Sequence, residues 1–171
     1  KTNIVGTTNE QYLADNIFCN DRSMAGNNSG TGAGTSVTYY RWYNGPWESE
    51  NYSKYNKKMM LTCSQKNDAF TVSDTTNGNG ALTYPVGLLS TDEIALAGGW
   101  NAANSGYYLY SGQVWWASSP SRFNGARARV RYVNSSGYAN NYSGVFFDGG
   151  VRPVFNLKAE VLLQGSGTAE D

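Results

Sequence analysis

Apolar and polar positions along this chain fall into short runs, and few of them extend beyond two helical turns. Thr7 and Glu10 stand at capping-box spacing in TTNEQYLADNIF and predict a short helix there. Residues 20–37 are rich in Gly, Asn and Ser, have no apolar periodicity and read as a loop. SVTYYRWY predicts a strand that stops at the turn NGP. WESENYSKYNKKMMLTC reads as an exposed excursion returning through an apolar strand from Met59 to Cys63, followed by a short strand at DAFTV and a turn-rich loop at TTNGNGALTYP. STDEIALAGG carries the clearest helix signal: Ser90 and Glu93 form a capping box, acids occupy the first turn, and Gly98 sits at the C-terminal end. A helix of about two turns persists only if it docks on something. YYLYSGQVWWASSP, ARARVRYV, GYANNYSGVFF and VRPVFNLKAEVLL then follow as strand-like runs between Gly/Asn/Ser turns. The pattern predicts one α+β domain over residues 1–171, with short helices flanking a small antiparallel sheet, long loops and a flexible tail over 164–171.

One of those runs raises a question that folding alone does not answer. In Ala126-Arg127-Ala128-Arg129-Val130-Arg131 the alternation is strict, which puts the small residues on one face and the arginines on the other. Read with the small residues inward, the outer face becomes a row of guanidiniums about 6.5–7 Å apart. Tyr132, Tyr138, Tyr142, Phe146 and Phe147 follow in Gly/Asn/Ser-rich sequence. Tyr, Arg and Phe give contact area and planar hydrogen bonding at low entropic cost, and Ser, Gly and Asn adapt to a partner. The pattern predicts a binding surface.

Composition narrows what that surface binds. The 171 residues carry 13 basic and 13 acidic side chains, so general electrostatic capture of nucleic acid or anionic lipid is not expected. Charged residues make up 15% of the chain, and solubility falls to Asn, Ser, Thr, Gly and Tyr. No run approaches the ~18 apolar residues of a membrane span, and an N-terminal Lys suggests a processed, exported protein whose membrane link is a missing N-terminal anchor. Cys19 and Cys63 are too few for a zinc cluster; they are read as a disulfide, with two buried free thiols as the alternative. There is no His, so Ser-His-Asp and Cys-His catalysis cannot be built, and Asp92 and Glu93 are better read as helix N-terminal charges. No enzyme, metal or cofactor is expected. Lys, Glu, Gln, Trp and Met number 24 in the chain, yet none falls in the 41 residues from Ala117 to Leu157.

YPVGLLSTDEIALAGG, VWWASSP, FNG, VNSSG and GVRPVFNL, in that order, resemble the C-terminal module of Firmicute surface proteins. In that family a C-type-lectin-like domain is diversified by a retroelement, and some members are pilin-like. The resemblance implies a C-type-lectin-like fold, and it also accounts for the missing residue types. Errors at template adenines turn an AAC codon into any NNC codon, and no NNC codon encodes Lys, Glu, Gln, Trp or Met.

Matched residue by residue, the framework would be Trp115, Trp116, Ser119, Pro120, Phe123, Asn124, Gly125, Val130, Val133, Asn134, Gly137, Val145, Gly150, Val151, Arg152 and Pro153. The variable, ligand-binding positions would be Ser121, Arg122, Arg127, Arg129, Arg131, Tyr132, Tyr138, Asn140, Asn141, Tyr142, Phe146, Phe147, Asp148 and Gly149. Trp115, Trp116 and Arg152 are expected as core aromatics and a buried, hydrogen-bonded arginine. The implied partner is a protein, or a glycan, on another cell or a host, met at an extracellular surface that in some members is pilus-associated. The competing expectation is a fixed-specificity, glycan-binding lectin-like domain or a pilus subunit. Its weakness is that no Pro-centred acidic calcium motif is found. Binding of single-stranded nucleic acid is disfavoured by the zero net charge.

Overall fold

In the computed structural model of the chain, the residues described are 4–20, 61–63, 65–99, 102–123, 127–139 and 141–161. The expected strand at SVTYYRWY, the excursion after it, Met59, Met60 and the tail over 164–171 lie outside them.

Among the described residues, seven strands form three small antiparallel sheets. β1 (Leu13–Ala14) pairs with β7 (Asn156–Leu157), and β2 (Phe18–Cys19) pairs with β3 (Ala69–Phe70). β4 (Trp115–Phe123), β5 (Ala128–Val133) and β6 (Asn141–Gly144) make the third sheet, in the order β4-β5-β6. One α-helix, α1 (Thr91–Leu96), and two 3-10 turns, Thr8–Tyr12 and Lys66–Asp68, complete the described elements. The architecture is broadly α+β with β predominating, and the described strands fall into three small sheets where the sequence suggested one.

The helix forms where its end signals are written. Glu93 N–H donates to Ser90 Oγ at 3.3 Å, and Ser90 N–H donates back to Glu93 Oε2 at 2.7 Å, closing the capping box. At the other end Gly98 has φ +95°, its N–H reaches Ala95 O, and Gly99 N–H reaches Ile94 O at 2.8 Å. These paired bonds are a Schellman termination, which needs a residue that tolerates left-handed φ. Docking supplies what so short a helix lacks. Thr91 N–H and Oγ1 both donate to Ser119 Oγ on β4, and Ile94 is fully buried against Trp115, Ala117 and Val133.

Several strand-like runs are shorter than expected. The segment Tyr107–Tyr110 is a turn, with Tyr110 N–H bonded to Tyr107 O, and β4 begins only after Gly112 at φ +68°. Leu61 and Thr62 form a bend, and Leu61 is 70% exposed, so the described end of the run Met59 to Cys63 is not a strand. Thr7 caps a 3-10 turn instead of an α-helix, its Oγ1 accepting from Asn9 N–H.

Asp15, between β1 and β2, joins the N-terminal strands to the loop after β3. Its carboxylate accepts from Val72 N–H, Ser73 N–H and Oγ, and Asp74 N–H, at 2.7 to 3.1 Å. Burial pushes its pKa up, but those four bonds together outweigh it and hold the group below the ordinary carboxylate value. A depressed folded-state pKa contributes stability above the unfolded value, and that stability is lost as pH falls through the folded one. Asp15→Ala is therefore expected to lower stability at pH 7 by about 2 kcal/mol. The gap from wild type should shrink as pH drops below about 4, which denaturant melts at pH 7 and pH 3 would reveal.

Candidate functional site

The third sheet positions the residues singled out above. β4 and β5 pair with Trp115 opposite Val133, Trp116 opposite Tyr132 and Pro120 opposite Val130, with register shifts on either side of Pro120. Pro has no N–H to give the ladder, so irregular pairing at that position is expected. β6 pairs with β5, placing Arg129 opposite Gly144, Arg131 opposite Tyr142 and Tyr132 opposite Asn141.

The two tryptophans show how the sheet divides its labour. Adjacent strand residues point to opposite faces, so only one of them can face the core behind β4. Trp115 does so. It is 3% exposed, packs with Ile94, Tyr107 and Val133, and carries the Arg152 guanidinium 5.2 Å from its ring centroid. Arg152 also donates through Nη1 to Leu109 O. Trp115 is thus a core aromatic as expected, whereas Arg152 is hydrogen-bonded but half-buried, and the expectation that Trp116 also lies in the core does not hold. Tyr107, in the same cluster, has its phenol pKa raised by burial, which the nearby Arg152 charge partly offsets. Trp116 is half-buried on the opposite face, beside Tyr132 at 5.9 Å and Phe147 at 6.3 Å, both edge-on. Tyr132 and Phe147 stack on each other at 6.2 Å.

The face assignment of the arginine row is corrected. Arg127, Arg129 and Arg131 share a parity with Val133, which is 1% exposed in the core. The arginine face is thus the core face at one end of β5. Arg131 is buried at 7% exposure, Arg129 is half-buried, and Arg127 alone of the three is exposed. The small-residue face, Ala128 and Val130, is the more open one, with Tyr132 on it. Following the alternation two residues further, to Val133, is the signal that would have reversed the reading.

The turn after β6 folds back over both faces. Val145 N–H bonds to Ala128 O and Phe147 N–H to Gly144 O. Phe146 lies 66% exposed with the Arg127 guanidinium 4.9 Å from its ring centroid, and Phe147 is 45% exposed. Asp148 is exposed and Gly149 half-buried. A Cβ on Gly149 would meet Trp116 Nε1 at 2.6 Å, so substitution there requires the indole to move. Among the fourteen candidate positions, the described side chains brought together are Arg127 with Phe146 and Tyr132 with Phe147. Tyr138 belongs to a turn over 134–138, where its N–H donates to Asn134 Oδ1. Ser121, Arg122, Asn141 and Tyr142 are placed by backbone on β4 and β6, and Asn140 lies outside the described residues.

Sequence reasoning missed an apolar groove of about 480 Å³ beside this cluster. Its walls come from β2, β3, the 82–88 segment and the Trp116 face of β4 and β5, with Val145 and Val151 also lining it. No local signal marks it, because its walls come from segments far apart in sequence. The Cys19–Cys63 disulfide is present, closing a sequence separation of 44, and Cys19 lines the same groove.

Residues 8–159 match the family model described as a domain of unknown function (DUF6273). No curated protein and no solved structure matches the chain. The chain therefore belongs to the DUF6273 family.

Proposed function

We propose that this DUF6273 protein is a non-catalytic, surface-displayed binding domain of C-type-lectin-like fold. In this reading its face between residues 121 and 149 is diversified by a retroelement and recognises a protein outside the cell. The observation that carries the reading is the set of large side chains held out to solvent on the β4–β5–β6 sheet and the turn after it. Phe146 at 66% and Phe147 at 45% exposure sit beside Arg127, with Val145 and Val151 at 62% and 72%. Exposed apolar side chains of this kind, set beside Arg127 and Tyr132, are the ordinary make-up of an interaction site. The framework beneath it is independent: Trp115, Ile94, Val133 and Arg152 pack without these residues. The disulfide is compatible with an extracellular setting.

The test is to sequence codons 115–153 of the gene across its native population. Substitutions concentrated at the candidate positions, Arg127, Tyr132, Phe146, Phe147 and Asp148 foremost, are expected. Uniformly distributed or absent variation overturns the diversified reading. At the protein level, Arg127→Ala, Phe146→Ala and Phe147→Ala combined should shift the thermal midpoint by only a few degrees, because all three are exposed. Unfolding of that variant in a thermal melt would show that the surface carries the fold.

A further inference from the structure

We propose that Asn77 is a site of covalent modification, losing its side-chain amide by intramolecular deamidation and leaving aspartate or isoaspartate at position 77. The inference is independent of the binding reading above. It concerns the loop after β3, which Asp15 ties to the N-terminal strands.

The sequence supplies the chemistry. Residues 77–80 read Asn-Gly-Asn-Gly, the same step twice. In such a step the glycine amide nitrogen attacks the asparagine Cγ. A C–N bond forms, the side-chain nitrogen leaves as ammonia, and a succinimide ring results. Water then opens one or other C–N bond of the ring. One opening gives aspartate, and the other gives isoaspartate with the main chain rerouted through the side chain. Nothing is oxidised or reduced, and water is the only co-reactant. Glycine favours the closure because it has no Cβ to crowd the approach and the widest choice of backbone torsions.

The fold makes the two steps unequal. Asn79 is half-buried, its Oδ1 accepts from Ala81 N–H, its Nδ2 donates to Asn67 O, and Gly80 N–H donates to Thr71 Oγ1. Each group that ring closure must move is held. Asn77 is exposed, and its Nδ2 donates to Asp74 Oδ2 at 2.9 Å. Among the described residues its Oδ1 accepts no hydrogen bond, and Gly78 N–H meets no side-chain acceptor. The glycine is itself imposed by packing. A Cβ at position 78 would lie 2.2 Å from Oγ1 of the fully buried Thr71, so the fold keeps glycine after Asn77 and with it the labile step.

The modification would act on the loop around it. The Asp74 carboxylate accepts from Thr76 N–H, Asn77 N–H and Asn77 Nδ2, and the two Asn77 bonds are the foremost reasons its pKa is lowered. Deamidation removes the Nδ2 donor and sets a second carboxylate beside Asp74. Isoaspartate also adds a methylene to the main chain of the turn. Asp74 N–H is one of the groups that hold Asp15, and Asp74 O accepts from Thr71 Oγ1, so the strain reaches the tie between this loop and the N-terminal strands.

The experiment incubates the folded, disulfide-bonded chain in mildly alkaline buffer made with 18O-labelled water. Samples taken over time are digested and read by mass spectrometry, using fragment ions that part residue 77 from residue 79. A parallel sample is held in urea. In the folded chain 18O should enter position 77 on the order of tenfold faster than position 79, because closure at Asn79 breaks two more hydrogen bonds. In urea the two rates should converge. Equal rates in the folded chain, or a faster reaction at Asn79, would overturn the proposal. So would a folded chain that takes up no 18O at position 77 by the time the urea sample has reacted fully. Asn77→Asp reproduces one product and should lower the thermal midpoint by a few degrees. Asn77→Ser removes the amide without adding charge and should lower it less. Melts of fresh and aged wild-type chain make the same comparison without a substitution. Midpoints no lower in Asn77→Asp and in the aged chain would overturn the effect assigned to the modification.

Discussion

Replacing Cys19 and Cys63 with serine is expected to lower stability by about 4 kcal/mol, which for a chain of this size moves the thermal midpoint down by roughly 8–16 °C. The magnitude follows from the loop. The bond closes a sequence separation of 44, and in the chain-entropy account the denatured chain gains that much freedom when the link is cut. The native side adds a local reason. Cys19 lies on β2, directly opposite Ala69 on β3, and the two-residue pairing has little ladder of its own to hold it. Asn20 N–H bonds to Asp68 O, and Ser118 Oγ donates to Cys19 O, so loosening Cys19 also loosens the seam between β2 and β4. The groove wall built by Phe18 should relax with it. Melts of the oxidised protein, the reduced protein and the double variant check this. A reduced midpoint within 3 °C of the oxidised one would contradict it.

What could be read in advance, and what could not, divides along a physical line. The ends of α1 were legible because capping is local: Ser90, Glu93 and Gly98 act on backbone groups within a few residues. Trp115 was legible as a core aromatic through the ordered motifs around it, but its contact with Arg152 was not, and Trp116, which the same motifs place in the core, does not reach it. The pairing of β1 with β7, which brings Leu13 opposite Leu157, has no local signature, since two-residue strands are specified by the rest of the fold and not by their own pattern. The groove is invisible for the same reason, because its walls come from chain segments far apart in sequence.

The arginine strand shows a subtler limit. Period two fixes which residues share a face but leaves open which face is buried. The chemistry of Arg and Ala favours burying the small residues, but Val133, which the same alternation places on the arginine side, lies in the core and reverses that choice. Burial of Arg131 has a functional consequence. Variation at position 131 should be narrower than at Arg127, because a buried polar side chain is fixed by its surroundings in a way that an exposed one is not.

Gly137→Ala is expected to cost roughly 4 kcal/mol or more, whereas Gly6→Ala should cost about 1 kcal/mol. Both glycines occupy left-handed backbone, at φ +79° and +74°, so the conformational penalty is shared. The surroundings differ. A Cβ on Gly6 meets nothing within 4 Å, while one on Gly137 would lie 1.8 Å from the Asn104 backbone carbonyl oxygen. No side-chain rotation relieves that contact, since the obstacle is main chain. The contact is tight because the turn over 134–138 is docked there. Asn104 N–H bonds to Ser136 O, and Asn134 Oδ1 accepts from Ser136 N–H, Ser136 Oγ and Tyr138 N–H. Pushing the turn off Asn104 would disturb the residues that lead from β5 into β6, and with them the placement of Phe146 and Phe147. Gly137→Ala should therefore weaken ligand binding even at temperatures where the chain remains folded, and Gly6→Ala should not. Denaturant melts of the two variants side by side isolate the steric part, because the backbone strain cancels between them. Equal losses at the two positions would mean that the turn is not docked as described, and the rigid frame assigned to the binding face would lose its main support.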